Sequence, residues 1–180
     1  MNRLVAFLRG INVGGRVVKK EQLIEVFRSL GFSNVVTYKQ SGNVIFETNA
    51  DDLREITGNI ERKLRQVLGY DVAVLVRSVT QLKAILQKNP FKDQKEESTS
   101  YLVTLLPAPI SNLPFHLPLI IPKSTAKISF ATSTEIFSET HGGGEGALPN
   151  PFVESKLKIK ATTRNLNIIA EIVAKYRLLG

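Results

Sequence analysis

Between Arg9 and Arg16 two guanidinium groups bracket three glycines and an asparagine, directly after an apolar run and directly before a helical pattern. Glycines free backbone N–H groups to point at a ligand, and the flanking arginines add charge-assisted donors, so Arg9, Asn12, Gly14 and Gly15 can form an anion-binding concavity. Neither standard phosphate loop is present. A P-loop ends in Gly-Lys-Ser/Thr, and the dinucleotide fingerprint needs GxGxxG opening a helix. The plainer reading is a glycine-rich crossover in which Asn12 satisfies backbone groups.

Two further clusters carry similar chemistry. Tyr38, Lys39, Gln40, Ser41, Gly42 and Asn43 concentrate hydrogen-bonding side chains at a predicted hairpin, where alternation puts Tyr38 and Gln40 on one face. The same residues can serve only to shape the turn. Thr162, Thr163, Arg164 and Asn165 are expected at a helix start, where unpaired N–H groups favour an anion and Arg164 adds a clamp. The alternative is Thr163 as an ordinary N-cap with Arg164 in solvent. The candidate ligand-binding set is therefore Arg9, Asn12, Gly14, Gly15, Tyr38, Gln40, Ser41, Asn43, Thr163, Arg164 and Asn165. Arg9 and Arg164 neutralise charge, and Asn12, Gln40, Ser41 and Asn43 fix orientation. If Arg164 faces a ligand, its removal should change stability little.

No catalytic residue or cofactor emerges. His141 and the glycines after it imitate an esterase oxyanion loop, but no GxSxG nucleophile elbow accompanies them. Ser124 to Lys127 and Ser155 to Lys158 match SxxK without its partner motifs. Glu135, Glu139 and Glu145 have no spacing that pairs them for acid–base work. With no cysteine and two distant histidines, a thiolate or histidine-rich metal centre is not expected.

These clusters need elements to hold them. Leu4 to Arg9 reads as a buried strand, and Leu23, Ile24, Phe27 and Leu30 as one helix face stopped by Gly31. Val35 to Gln40 and Asn43 to Thr48 read as strands around a two-residue turn at Ser41-Gly42. Asp51 or Asp52 caps a helix whose stripe runs from Leu53 to Leu68 before Gly69, and Asp71 to Arg77 is a fourth strand. This order is the split βαβ of ferredoxin-like folds, with an antiparallel sheet, the first and third strands central and both helices on one face.

The second half predicts a helix over Thr80 to Lys88, then strands at Tyr101 to Leu106, Lys127 to Ala131 and Glu135 to Glu139. Pro107 to Pro122 is an irregular connection, Asn150-Pro151 starts a helix, and Thr163 caps a last one bearing Ile169, Ile172, Val173 and Tyr176. The expected fold class is α+β: a ferredoxin-like βαββαβ first half, with a second, diverged α+β half packed on it. The polar stretch 94–100 sets the boundary, giving a subdomain over 1–93 with its connecting helix and another over 94–180 ending in the C-terminal helix.

The net charge of +8 is uneven, since residues 1–88 hold 14 Lys+Arg against 8 Asp+Glu (14 − 8 = +6) and residues 89–180 hold 10 against 8 (10 − 8 = +2). Such a basic first half attracts nucleic acid, nucleotides or anionic metabolites, or is simply a solvated surface. No apolar run approaches the roughly 18 residues of a membrane span and no signal peptide is evident, so a cytoplasmic location is expected.

Taken together, LRGINVGG at 8–15, TYKQSGNVIF at 37–46 and KATTRN at 160–165 resemble the bacterial domain-of-unknown-function family known for its LRGINVGG opening. The resemblance spans nearly the whole chain, implies a small α+β protein with a ferredoxin-like first half, and brings no established activity. It singles out Arg9, Gly10, Asn12, Gly14 and Gly15, then Tyr38, Gln40, Ser41, Gly42 and Asn43, then Thr163, Arg164 and Asn165. The chain departs from the family pattern at Leu166 and Ile168, where Trp and Thr are usual, and at Gly146-Ala147-Leu148, which stands where relatives carry Ser-Lys-Leu.

The expected function is binding of a small anionic ligand, a nucleotide or phosphorylated metabolite, between the glycine loop, the hairpin and the last helix. A rival is RNA binding by the basic first half, although Asn43 to Ala50 lacks the spaced aromatics of an RNA-recognition strand. A third possibility is an interaction module without a pocket.

Overall fold

The computed structural model describes residues 1–12, 14–15, 17–39, 42–94, 96–142 and 148–177, and no side chain beyond 175. Arg16, Gln40, Ser41, Glu145, the stretches 143–147 and 178–180, and the Tyr176 side chain lie outside the described residues. Two compact units divide the chain, Met1–Leu82 and Lys83–Gly180.

In the first unit the order is β1 (Asn2–Arg9), α1 (Lys20–Ser29), β2 (Ser33–Thr37), β3 (Asn43–Thr48), α2 (Leu53–Leu68) and β4 (Ala73–Ser78). The helix α3 (Val79–Gln87) follows β4 without a break and carries the division between the units. The sheet runs β2-β3-β1-β4 with every neighbour antiparallel, so the first and third strands are central, as the crossover rule requires. Both helices cover one face. Leu23, Val26 and Phe27 of α1 and Ile56, Ile60 and Leu64 of α2 share a core with Leu4, Ala6, Leu8, Val44 and Phe46 of the sheet. Phe27 lies edge-on to Phe46 at 5.3 Å and Phe32 stacks on it at 4.5 Å. Burial of each such ring contributes roughly 1.5–3 kcal/mol.

The ends of α2 follow from single residues. The Asp52 carboxylate accepts the N–H groups of Arg54 at 2.8 Å and Glu55 at 3.2 Å, and Gly69 closes the helix with its N–H on the Arg65 carbonyl. The outer edge of β4 is covered by side chains: Val74 N–H donates to Glu61 Oε1 at 2.9 Å, and Arg77 Nη1 donates to the Val76 carbonyl at 3.0 Å.

The second unit contains β5 (Thr99–Leu105), β6 (Leu119–Ile120), β7 (Ala126–Ala131), β8 (Glu135–His141), α4 (Asn150–Leu157), β9 (Thr162–Asn165) and α5 (Leu166–Arg177). Its sheet order is β6-β7-β8-β5-β9, again antiparallel throughout. Without β6, this repeats the first unit strand for strand, with β5, β7, β8 and β9 in the places of β1, β2, β3 and β4. Details agree: Leu8 N–H donates to the Gly42 carbonyl at 2.9 Å, and Leu106 N–H to the Thr134 carbonyl at 3.0 Å. The buried Glu47 faces Arg3 across its sheet as the buried Glu139 faces Tyr101 across the other. The departure lies between the first two strands of the plan, where α1 in one unit is replaced by an irregular proline-rich segment and β6 in the other.

Three expectations are corrected. The predicted strand Val35 to Gln40 ends at Thr37, because Lys39 takes a left-handed φ of 42° that strand pairing does not accommodate. The connection to β3 therefore runs from 38 to 42 and is not a two-residue turn. Thr163 does not cap the last helix: Thr162–Asn165 pair with β5 as a strand, and the cap is Asn165, whose Oδ1 accepts Asn167 N–H at 2.9 Å.

Candidate functional site

Three connections of the first unit meet at one end of its sheet: the glycine loop after β1, the 38–42 connection, and residues 69–72 before β4. The Leu8 to Gly42 bond and the pairing of Phe7 with Asn43 join the first two. The third is joined by Tyr70, whose hydroxyl donates to the Ile11 carbonyl at 3.0 Å. Arg9 is half-buried at the end of β1 opposite Ala73, two residues beyond Phe7, which pairs with Asn43, and Asn12, Gly14 and Gly15 lie in the loop that follows.

The loop is tied at both ends. Ile11 is buried and held by Tyr70, and Asn12 Oδ1 accepts the N–H of the buried Val18 at 2.8 Å. Gly14 and Gly15 then reverse the chain with φ of +68° and +79°, angles at which an L side chain is strained although open space surrounds both. Both glycines are exposed, so their backbone is presented to solvent. Asn43 is buried, its Nδ2 donating to the Tyr38 carbonyl at 3.0 Å while Tyr38 N–H donates to the Asn43 carbonyl at 2.9 Å. Lys39 is exposed and sets its ammonium 5.7 Å from the Tyr38 ring centre. Gln40 and Ser41 lie outside the described residues.

Thr163, Arg164 and Asn165 stand on β9 of the second unit. The Thr163 hydroxyl meets that of the buried Thr104 at 2.6 Å. Asn165 caps α5. Arg164 Nη1 donates to Thr162 Oγ1 at 2.8 Å and to the Thr163 carbonyl at 2.9 Å. Burial draws its pKa down to about 10, which still leaves it charged at neutral pH. Such a desolvated, hydrogen-bonded guanidinium is placed to support its own strand.

Sequence reasoning missed Tyr70, whose reach of 59 residues back to Ile11 leaves no local signal. It also missed Arg77, buried on β4 at the place that Arg164 has on β9. Among the described residues no group of three His, Asp or Glu could hold a metal ion, and no helix is long and apolar enough to cross a membrane.

A family model described as "Protein of unknown function (DUF1697)" matches residues 1–116. The chain is also similar to a solved structure of the conserved bacterial protein SP0830 from Streptococcus pneumoniae, at 18% identity over 98% of this chain and 99% of that one, with a TM-score of 0.67. That similarity shows the same α+β fold. No curated protein matches. With the model covering more than half of its residues, and its first-unit topology as described, the chain belongs to the DUF1697 family of proteins of unknown function.

Proposed function

We propose that this protein binds a small anionic ligand, a nucleotide or phosphorylated metabolite, at the end of the first unit's sheet where the glycine loop meets the 38–42 connection. The observation that carries the reading is the joining of these two first-unit segments beside Arg9, through the Leu8 to Gly42 bond. The exposed Gly14 and Gly15 backbone offers N–H donors, Arg9 and Lys39 supply charge, and the anchored ends of the loop limit the entropy lost on binding. Asn12 and Asn43 act in this reading mainly by holding the backbone, since Asn12 Oδ1 and Asn43 Nδ2 are committed to main-chain groups. A cytoplasmic location belongs to the same proposal.

Calorimetric titration with inorganic pyrophosphate and with ATP tests it and separates a phosphate site from a nucleotide site. Arg9→Ala should weaken binding by about 1 kcal/mol or more, as for a charge-assisted hydrogen bond. Equal affinity in wild type and Arg9→Ala, or no binding of either probe, rejects the reading. The basic excess of residues 1–88 supports a second reading, RNA binding. That reading requires affinity for oligonucleotides to grow with their length and to fall steeply with salt.

A further inference from the structure

The repeated topology directs attention to the second unit. In the first unit the candidate site lies where the segment after the first central strand meets the connection between the two strands of the hairpin. The same two places in the second unit are the proline-rich segment after β5 and the turn between β7 and β8, and there the chain forms a cleft of about 470 Å³. We propose that this cleft is a binding site for a small uncharged ring compound. The proposal rests on the second unit alone and is independent of anion binding by the first.

The volume falls in the range of pockets that take small molecules, roughly 300–1,000 Å³. Hydrogen bonds and ring contacts within the unit brace the walls. Ile110 N–H donates to the Ser133 carbonyl at 2.8 Å and ties the proline-rich segment to the turn. The turn itself is braced by Thr132, whose hydroxyl donates to the buried Glu135 carboxylate and accepts the N–H groups of Thr134 at 3.2 Å and Glu135 at 3.0 Å. Phe115 is tilted against Phe152 with ring centres 5.4 Å apart, and Ile110, Leu113 and Leu117 pack on the core of this unit.

The lining then defines the ligand. Among the described residues lining the cleft there is no Lys, Arg, Asp or Glu, so a charged ligand would shed water with no opposite charge to receive it. The lining of this open cleft is more polar than apolar, and its apolar part, from Leu113, Phe115 and Leu117, suits one face of a flat ring. Ser111, Asn112 and His116 are exposed at its rim and supply donors and acceptors for one or two polar substituents. The contrast with the arginine and lysine of the glycine loop and the 38–42 connection is chemical: one plan, two sheet ends, one basic and one neutral.

The test is a titration of the 15N-labelled full chain followed by amide chemical shifts, with indole as the neutral ring probe and benzoate as its anionic counterpart. Indole should move the amides of 110–117 and 131–133 in a saturable way, and benzoate should bind at least several-fold more weakly. Ala131→Phe, which fills the cleft from its strand wall, should weaken indole at least tenfold. If that variant loses its dispersed spectrum, Ser111→Trp at an exposed position of the lining takes its place. Pyrophosphate should leave these amides unmoved. Shifts that are absent or scattered over the chain, benzoate binding as tight as indole, or undiminished binding in a folded blocked variant each overturn the assignment.

Discussion

Arg77 and Arg164 occupy the same place in two copies of one plan: each is the penultimate residue of an edge strand, paired in register with a buried valine of the central strand, Val5 in one case and Val103 in the other. Each donates Nη1 to the carbonyl of the residue before it. The residue after each caps the following helix, with Ser78 Oγ accepting Gln81 N–H at 3.1 Å as Asn165 accepts Asn167 N–H. Arg77→Ala and Arg164→Ala should therefore each lower stability by about 1.5–3 kcal/mol, the range for hydrogen bonds to charged groups. Lysine replacements should restore only part of it, because an ammonium lacks the planar fork. Urea unfolding of the variants decides the matter, and unchanged midpoints would show that the carbonyl bonds contribute nothing.

The Tyr70 hydroxyl ties the glycine loop to the segment before β4. Tyr70→Phe keeps the ring packed against the core and deletes that bond. A loss of about 0.5–1.5 kcal/mol is expected. Amide exchange between Ile11 and Val18 should accelerate while exchange in α2 stays as it was, and uniform acceleration would mean that the bond supports the whole unit and not the loop.

Glu47 provides a pH dependence. The side-chain amide of Asn34 donates to its Oε2 at 2.6 Å and Arg3 donates to Oε1 at 2.7 Å; both favour the carboxylate over its protonated form and hold its pKa below the usual 4.5, against a smaller opposing effect of burial. Since the folded value is the lower one, this stability is present in full above 4.5 and is lost as pH falls through the folded pKa. Glu47→Gln should therefore destabilise at neutral pH and flatten the acid limb of the stability curve. An acid limb identical to that of the wild type would assign it to other carboxylates.

The elements with a strong period were legible, and the reason is local. The stripe from Leu53 to Leu68, with an aspartate before it and a glycine after it, leaves one reading. At Thr162–Asn165 the residue types are ambiguous: threonine suits both a strand and a cap, and only pairing with β5, far away in sequence, decides for the strand. The two-residue β6 has too few residues for any period to appear. At the candidate site, the glycines that turn the loop were legible because positive φ is glycine's own territory. The partners chosen by Asn12 and Asn43 were not. Each amide bonds a main-chain group that becomes its neighbour only when the loop has closed, and the tie from Tyr70 forms only after α2 has packed.

A strand at the margin of a sheet ordinarily offers a row of open amides on which another chain can grow. On β4 the Val74 N–H is already taken by Glu61 and the Val76 carbonyl by Arg77, so a foreign strand arriving there meets a carboxylate and a guanidinium before it reaches the backbone. Templated self-association along this margin is thereby disfavoured by groups that also hold the native sheet. Removing either one would free a backbone group of this margin at the same moment that it weakens the fold.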